Sequence, residues 1–241
     1  MFSRFALLTL SCCLFSLPTN AAVTFSSGTT KVPLLELYTS EGCSSCPPAD
    51  KWLSTFQQHP ELWNKVVPVA FHVNYWNNLG WKDPFSTKNN SYRQYNYKHN
   101  GNIRAVYTPG FVFNGKESRN RFLNRVLPEN NDMPGDLQLQ LDGDKLTASF
   151  INSSTEQQSL ILNITLLGFD LETKIPAGEN RGKVLTHDFV VLGHQKNLSQ
   201  TKQWQVSLPP PIVSSDKTAI AAWISTENNP TPIQATGGWL P

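Results

Sequence analysis

Two cysteines, Cys43 and Cys46, stand where an apolar run, Val32-Pro33-Leu34-Leu35-Glu36-Leu37-Tyr38, gives way to Pro47-Pro48-Ala49-Asp50. The run reads as a buried strand. Paired prolines fit the first turn of a helix, where a missing N–H matters least. The C-x-x-C therefore occupies a strand-to-helix turn, and the chain around it is committed to mixed structure. The other cysteines, Cys12 and Cys13, lie in the N-terminal segment. A loop this short cannot staple a fold, because the chain-entropy benefit of a disulfide grows with the length of the loop it closes. A lone pair of this kind after a strand reads as redox-active rather than structural.

The N-terminal segment carries Arg4, an apolar stretch from Phe5 to Leu17, and then Pro18-Thr19-Asn20-Ala21. That is the three-part pattern of a secretory signal peptide cut after Ala21. The stretch is too short for a comfortable membrane span. No later segment is long and apolar enough to cross a membrane, so the expected mature chain is a periplasmic or secreted soluble protein. Disulfides persist in those compartments, and enzymes that exchange them are needed there. The net charge is +2 at pH 7 with dispersed basic residues, which indicates no nucleic-acid face.

Beyond the signal peptide (residues 1–21) the character changes near Pro128 to Gly135. Upstream, strand-like runs (Lys31 to Thr39, Lys65 to Val73, Phe111 to Phe113) alternate with helix-like ones (Ala49 to Gln57, Thr87 to His99, Arg119 to Val126). Such alternation favours an α/β sheet with parallel pairs. Downstream, Leu137-Gln138-Leu139-Gln140-Leu141 alternates strictly, turns at Asp142-Gly143, and resumes through Lys145 to Phe150, a strong hairpin signal. Further strand candidates are Ser159 to Gly168, Val184 to Leu192, Gln203 to Leu208 and Thr218 to Thr226. Several short strands without a helix read as a small β-sandwich. The expected organisation is thus an α/β domain over residues 22–134 and a β-sandwich-like domain over residues 135–241.

Tyr38-Thr39-Ser40-Glu41-Gly42-Cys43-Ser44-Ser45-Cys46 resembles the strand-to-helix turn of glutaredoxins. Asn102 through Tyr107-Thr108-Pro109-Gly110-Phe111-Val112-Phe113-Asn114-Gly115 resembles the thioredoxin segment around its cis-proline. The mature chain as a whole is similar to an exported bacterial family of unknown function, DUF1223, through four further marks. These are Glu36 to Asp50, His72-Val73-Asn74-Tyr75-Trp76 through Gly80-Trp81-Lys82-Asp83-Pro84-Phe85, Tyr107-Thr108-Pro109, and Gly178-Glu179-Asn180-Arg181-Gly182. The resemblance implies a thioredoxin-like α/β domain before the sandwich. It also implies a nucleophilic, more exposed Cys43 at a helix start, a resolving Cys46, and a cis bond before Pro109 that aims the Thr108 backbone at the pair. Glu36 falls where thioredoxins keep a buried acid that exchanges a proton with the second cysteine; a solvated strand residue and a structural hydrogen-bond partner are the other readings of it.

Other candidates follow from residue type. Trp76 and Trp81, with Phe85, could line an apolar groove for substrate, or pack the insertion onto the domain. His72, at a strand end, is a possible third ligand beside two thiols, although such histidines are more often core residues. His187 and His194 read as surface residues. The leading function is an exported thiol–disulfide oxidoreductase that acts on protein thiols or disulfides and exchanges electrons with an unidentified redox partner, with no cofactor and no resident metal. Two alternatives stand beside it. One is a Cu(I)-handling protein using the soft thiolates, against which stands the scarcity of methionine, only Met1 and Met133. The other is a non-catalytic recognition module.

Overall fold

The structure, a computed structural model, describes residues 22–119, 131–154 and 158–241. The expected signal peptide over residues 1–21 lies outside them, as does the helix expected over Arg119 to Val126 apart from its first residue. The first part of the chain forms β1 (Val23–Ser26), β2 (Leu34–Thr39), α1 (Pro47–Ser54), β3 (Val67–His72), α2 (Lys88–His99), β4 (Gly110–Phe113) and β5 (Lys116–Glu117). The second part forms β6 (Asp136–Asp142), β7 (Lys145–Ile151), β8 (Leu160–Gly168), β9 (Leu171–Lys174), β10 (Val184–His187), β11 (Val190–Ser199), β12 (Gln203–Ser207), β13 (Thr218–Thr226) and β14 (Gln234–Trp239).

An eight-stranded mixed sheet runs β14-β13-β8-β11-β3-β2-β4-β5. β2 pairs parallel with β3 and antiparallel with β4, and β3 takes β11 on its other side, parallel at Ala70 and Val190. The expected α/β thioredoxin-like fold followed by an all-β sandwich-like part is not what forms. The protein is mostly β-sheet, with two α-helices among the described residues, and this sheet draws strands from both parts of the chain. The physical reason is the outer edge of β3. Local alternation leaves that edge open to another βα unit, but the backbone of β11 satisfies it, and Ala70 N–H donates to Phe189 O at 2.8 Å.

Strand β2 is buried along its whole length, which accounts for its near-continuous apolar sequence. Its core combines Leu34, Leu37, Val69 and Phe71 from the first part with Phe189, Ala221, Trp223 and Ala235 from the second. A second, four-stranded antiparallel sheet, β1-β6-β7-β12, covers the far end of the large one. Leu137, Leu139 and Leu141 from its inner face pack against Leu162, Ile164, Ile220 and Ile224. The β6–β7 hairpin turns at Asp142-Gly143, where Gly143 has φ +60°, as the alternation implied. None of the described helices is long and apolar enough to cross a membrane.

Candidate functional site

At the end of β2 the chain turns sharply. Gly42 N–H donates to Ser40 Oγ (3.1 Å), Cys43 N–H to Ser40 O (3.1 Å) and Cys46 N–H to Cys43 O (3.2 Å). Cys43 and Cys46 are joined by a disulfide, with their Cα atoms 5.5 Å apart. Helix α1 begins at Pro47 with Cys46 as its cap and prolines in its first two positions. Cys43 thus stands one turn upstream of the helix rather than at its start. Nor does exposure separate the two cysteines, at 1% for Cys43 and 0% for Cys46. Ser44 and Ser45 between them are exposed, and Ser45 Oγ lies 3.4 Å from Cys43 Sγ.

A strap from the second part of the chain, Gly178–Gly182 between β9 and β10, crosses this turn. Asn180 is fully buried and donates from Nδ2 to the carbonyls of Glu41 (2.8 Å) and Cys43 (3.0 Å). Lys183 Nζ donates to Asn180 Oδ1 at 2.8 Å and so fixes which way the amide faces. Glu179 Oε2 accepts from Ser44 N–H at 3.0 Å. The strap enters through Gly178, whose φ of +79° suits glycine and which packs against Leu79 and Trp81.

Segment 74–86 borders the turn on another side. Trp76 packs against Gly42, where an added Cβ would lie 3.0 Å from Trp76 Cβ, and Trp76 Nε1 donates to Thr108 Oγ1 at 2.8 Å. Trp81 Nε1 donates to Glu41 Oε2 at 2.7 Å. The Thr108–Pro109 bond is cis. Tyr38 pairs with Gly110 across β2 and β4, so Pro109 falls level with Thr39, four residues before Cys43. The structure therefore brings Trp76, Trp81, Thr108 and Pro109 to the end of the sheet where the cysteine turn lies.

Behind the disulfide is a buried group of ionisable side chains. His72 Nδ1 and Asp83 Oδ2 are 2.7 Å apart, and both residues are buried. His187 lies between two carboxylates, 3.4 Å from Glu41 Oε1 and 3.8 Å from Asp50 Oδ2, and its ring meets that of His72 edge-on at 4.8 Å. Glu41 Oε1, Asp50 Oδ2, His72 Nε2 and both nitrogens of His187 have no hydrogen-bond partner. Burial works against the charge on His72, but Asp83 outweighs it and raises the imidazole pKa. Burial likewise pushes the Asp83 carboxyl up, and His72 more than reverses it, so the net direction is down. For Asp50 burial prevails over His187 and His72, and its carboxyl stays above the ordinary range. The surface role expected for His187 is overturned by this position, where it is 2% exposed. His194 is half-buried: it stacks on Trp223, and desolvation drives its pKa well below the ordinary value. Among the described residues, no group of three or more His, Cys, Asp or Glu side chains is arranged to hold a metal ion.

Glu36 is held elsewhere. Its Oε2 accepts from Arg93 Nε (2.6 Å) and Tyr38 OH (2.9 Å), and its Oε1 from Arg93 Nη2 (3.0 Å) and Tyr97 OH (2.5 Å). These bonds tie it to α2. The alternation of β2 puts Glu36 and Thr39 on opposite faces of the sheet. The buried acids that flank the cysteines are instead Glu41, two residues before Cys43, and Asp50, four after Cys46. The spacing of Asp50 was a readable signal, since residues four apart share a helix face.

The chain belongs to the family described as protein of unknown function (DUF1223), whose profile matches residues 34–225. No curated protein matches it. Among solved structures it resembles protein AGR_C_4864 from Agrobacterium tumefaciens, with 24% identity and a TM-score of 0.60 over 87% of this chain and 94% of that one. It also resembles HBP35 of Porphyromonas gingivalis, with 14% identity and a TM-score of 0.55 over 89% of this chain and 76% of that one. At these identities the likeness concerns the fold alone.

Proposed function

We propose that this member of the DUF1223 family is an exported thiol–disulfide oxidoreductase that uses Cys43 and Cys46 on protein thiols or disulfides. The observation that carries the reading is the Cys43–Cys46 disulfide, closed across two exposed serines and backed by buried Asp50, Glu41 and His187. In the oxidising direction a client thiolate attacks Cys43 Sγ. The client–Cys43 bond forms, the Cys43–Cys46 bond breaks, and Cys46 leaves with the electron pair. A second client thiolate then displaces Cys43 as the client disulfide closes, and the pair is left as a dithiol. The reducing direction is the reverse, with Cys46 resolving the mixed disulfide. The proton acceptor and donor for Cys46 in this reading is Asp50, buried one helical turn after it and without a hydrogen-bond partner on Oδ2. Its raised pKa brings its proton affinity closer to that of a thiol.

The backbone at Thr108, beside cis-Pro109, offers main-chain hydrogen bonds to an extended client segment. Trp76 and Trp81 frame the approach. Export follows from the N-terminal pattern through Ala21. Burial of both sulfurs favours one competing reading, a recognition module in which the disulfide never exchanges.

Equilibration of the protein with glutathione buffers, followed by alkylation and mass analysis of the Cys43–Cys46 peptide, decides between them. An oxidoreductase shows a reversible two-electron transition, and Cys46→Ser accumulates mixed disulfides at Cys43. A pair that stays oxidised in every glutathione buffer and opens only on unfolding refutes the proposal.

A further inference from the structure

Most of the backbone hydrogen-bond donors around Cys43 are already engaged. The N–H groups of Gly42 and Cys43 are spent on Ser40, that of Ser44 on the Glu179 carboxylate, and that of Cys46 on the Cys43 carbonyl. Pro47 and Pro48 have none to give. A thiolate at Cys43 would thus be denied most of the backbone donors of its own turn. That leaves Ser45, whose hydroxyl is 3.4 Å from the sulfur. A disulfide sulfur carries no hydrogen, so in this contact the hydroxyl is the donor.

The strap brings an opposing charge. Glu179 is solvent-exposed, and its bonds from the Ser44 side chain and backbone hold its carboxyl below the ordinary range. It therefore stays ionised at neutral pH beside the turn that carries Cys43. The other titratable or charged groups on the segments that pack against the turn are Glu41, Asp50, Asp83, His72 and His187 on the buried side, and Lys82, Arg181 and Lys183 toward solvent. Lys183 is engaged with Asn180.

We propose that the Ser45 hydroxyl is a catalytic group that stabilises the Cys43 thiolate, and that Glu179 is a positioning residue that opposes it by capturing the Ser44 amide and placing a carboxylate beside the turn. The inference rests on the oxidoreductase reading and deepens it. The reactivity of the nucleophile is set by the second serine of Cys-Ser-Ser-Cys and by a loop that arrives from the other part of the chain. Hydrogen bonds to a charged group are the strong ones, so loss of the Ser45 hydroxyl moves the thiol titration by about one to two pH units. The effect of Glu179 acts through solvent and falls with salt.

The test is the pH dependence of Cys43 alkylation by iodoacetamide, read by mass spectrometry on the Cys43 peptide of the full chain in a Cys46→Ser background. Ser45→Ala is expected to raise the midpoint by about one unit or more, which is at least tenfold less thiolate at neutral pH. Ser45→Thr, which keeps the hydroxyl, restores it. Glu179→Gln lowers the midpoint at low salt, and the difference shrinks at about 1 M salt, where the Debye length falls to about 3 Å. Far-UV circular dichroism confirms that each variant is folded. An unmoved midpoint in Ser45→Ala, or a Thr variant that behaves like Ala, overturns the assignment of Ser45. A Glu179→Gln midpoint that does not fall, or a difference indifferent to salt, overturns that of Glu179. The titration needs no client, so it fails separately from the glutathione equilibrium that tests the oxidoreductase reading.

Discussion

Replacing Glu36 with Gln separates the two roles that a buried acid on β2 can have. The substitution keeps the shape and removes the charge. In the native protein both carboxylate oxygens accept two bonds, and the fully buried Arg93 guanidinium directs its Nε and Nη2 at them. Burial works against the Arg93 charge, but Glu36, Tyr97 and Tyr38 outweigh it and raise its pKa above that of an ordinary arginine. Even without Glu36 an arginine side chain is not deprotonated in a protein, so the guanidinium stays charged in the variant. It is left facing an amide with one accepting oxygen in place of two, with the Tyr97 hydroxyl 3.0 Å from Nη2 and the faces of Trp223 (4.7 Å), Tyr97 (5.1 Å) and Phe71 (5.4 Å) around it. Breaking one side of a buried pair costs about 3–5 kcal/mol. With a urea m-value of roughly 3 kcal/mol/M, the unfolding midpoint falls by about 1–1.7 M. A double variant, Glu36→Leu with Arg93→Met, removes both charges and is expected to recover most of the loss. Exchange by the folded fraction should be unchanged in pH dependence. A Glu36→Gln protein as stable as the parent, or a double variant as damaged as the single, refutes the argument from a stranded charge. A displaced pH profile for exchange would return Glu36 to the chemistry.

Two further outcomes concern the buried group behind the disulfide. The raised pKa of Asp50 means that its stability contribution is fully present below the unfolded value and lost as pH rises through the folded one. Asp50→Asn should therefore raise the urea midpoint at pH 7 but not at pH near 3, while slowing exchange on the order of a hundredfold; a lower midpoint at pH 7 contradicts it. For the His72–Asp83 pair the signs differ. The raised His72 pKa stabilises fully below its ordinary 6.5 and fades as pH climbs through the folded value, and the lowered Asp83 pKa stabilises above its ordinary 3.8 and fades as pH drops through its folded value. His72→Gln should thus cost about 3–5 kcal/mol between pH 4 and 6.5, and less at alkaline pH. A cost that grows with alkalinity in urea titrations would contradict this.

What could be read from the sequence was local. The apolar run before Cys43 announced β2, Pro47-Pro48 marked the first turn of α1, and Asp142-Gly143 placed the β6–β7 hairpin. The surroundings of Pro109 pointed to its cis bond. What stayed hidden depends on partners far along the chain. Glu36 looked like a free buried acid because Arg93 is 57 residues away. His187 looked like a surface residue because nothing beside it in sequence shows that it packs between Glu41 and Asp50. The α/β reading failed at one strand edge, since no local pattern reveals that β11 will pair with β3. Strand β14 escaped notice for another reason. Its Ala235-Thr236-Gly237-Gly238 has no alternation, because small residues are what leave room there: a Cβ on Gly237 would lie 2.7 Å from the Trp63 ring.

The strap gives the site a timetable. Asn180, which grips the Cys43 carbonyl, follows it by 137 residues, and His187 comes later still. While the chain is being made, the two thiols emerge long before the residues that will cover them. At a synthesis rate of about 5–20 residues per second, the interval lasts on the order of ten seconds. During that time the pair meets any oxidant as an ordinary unshielded dithiol, at a potential that belongs to the unfinished chain. Only when β10 has paired with β9 and β11 has joined the large sheet do Cys43 and Cys46 acquire the surroundings described above. A nascent chain halted before residue 178 therefore carries the same Cys-Ser-Ser-Cys with different chemistry, and completion of the sheet is the event that turns it into this site.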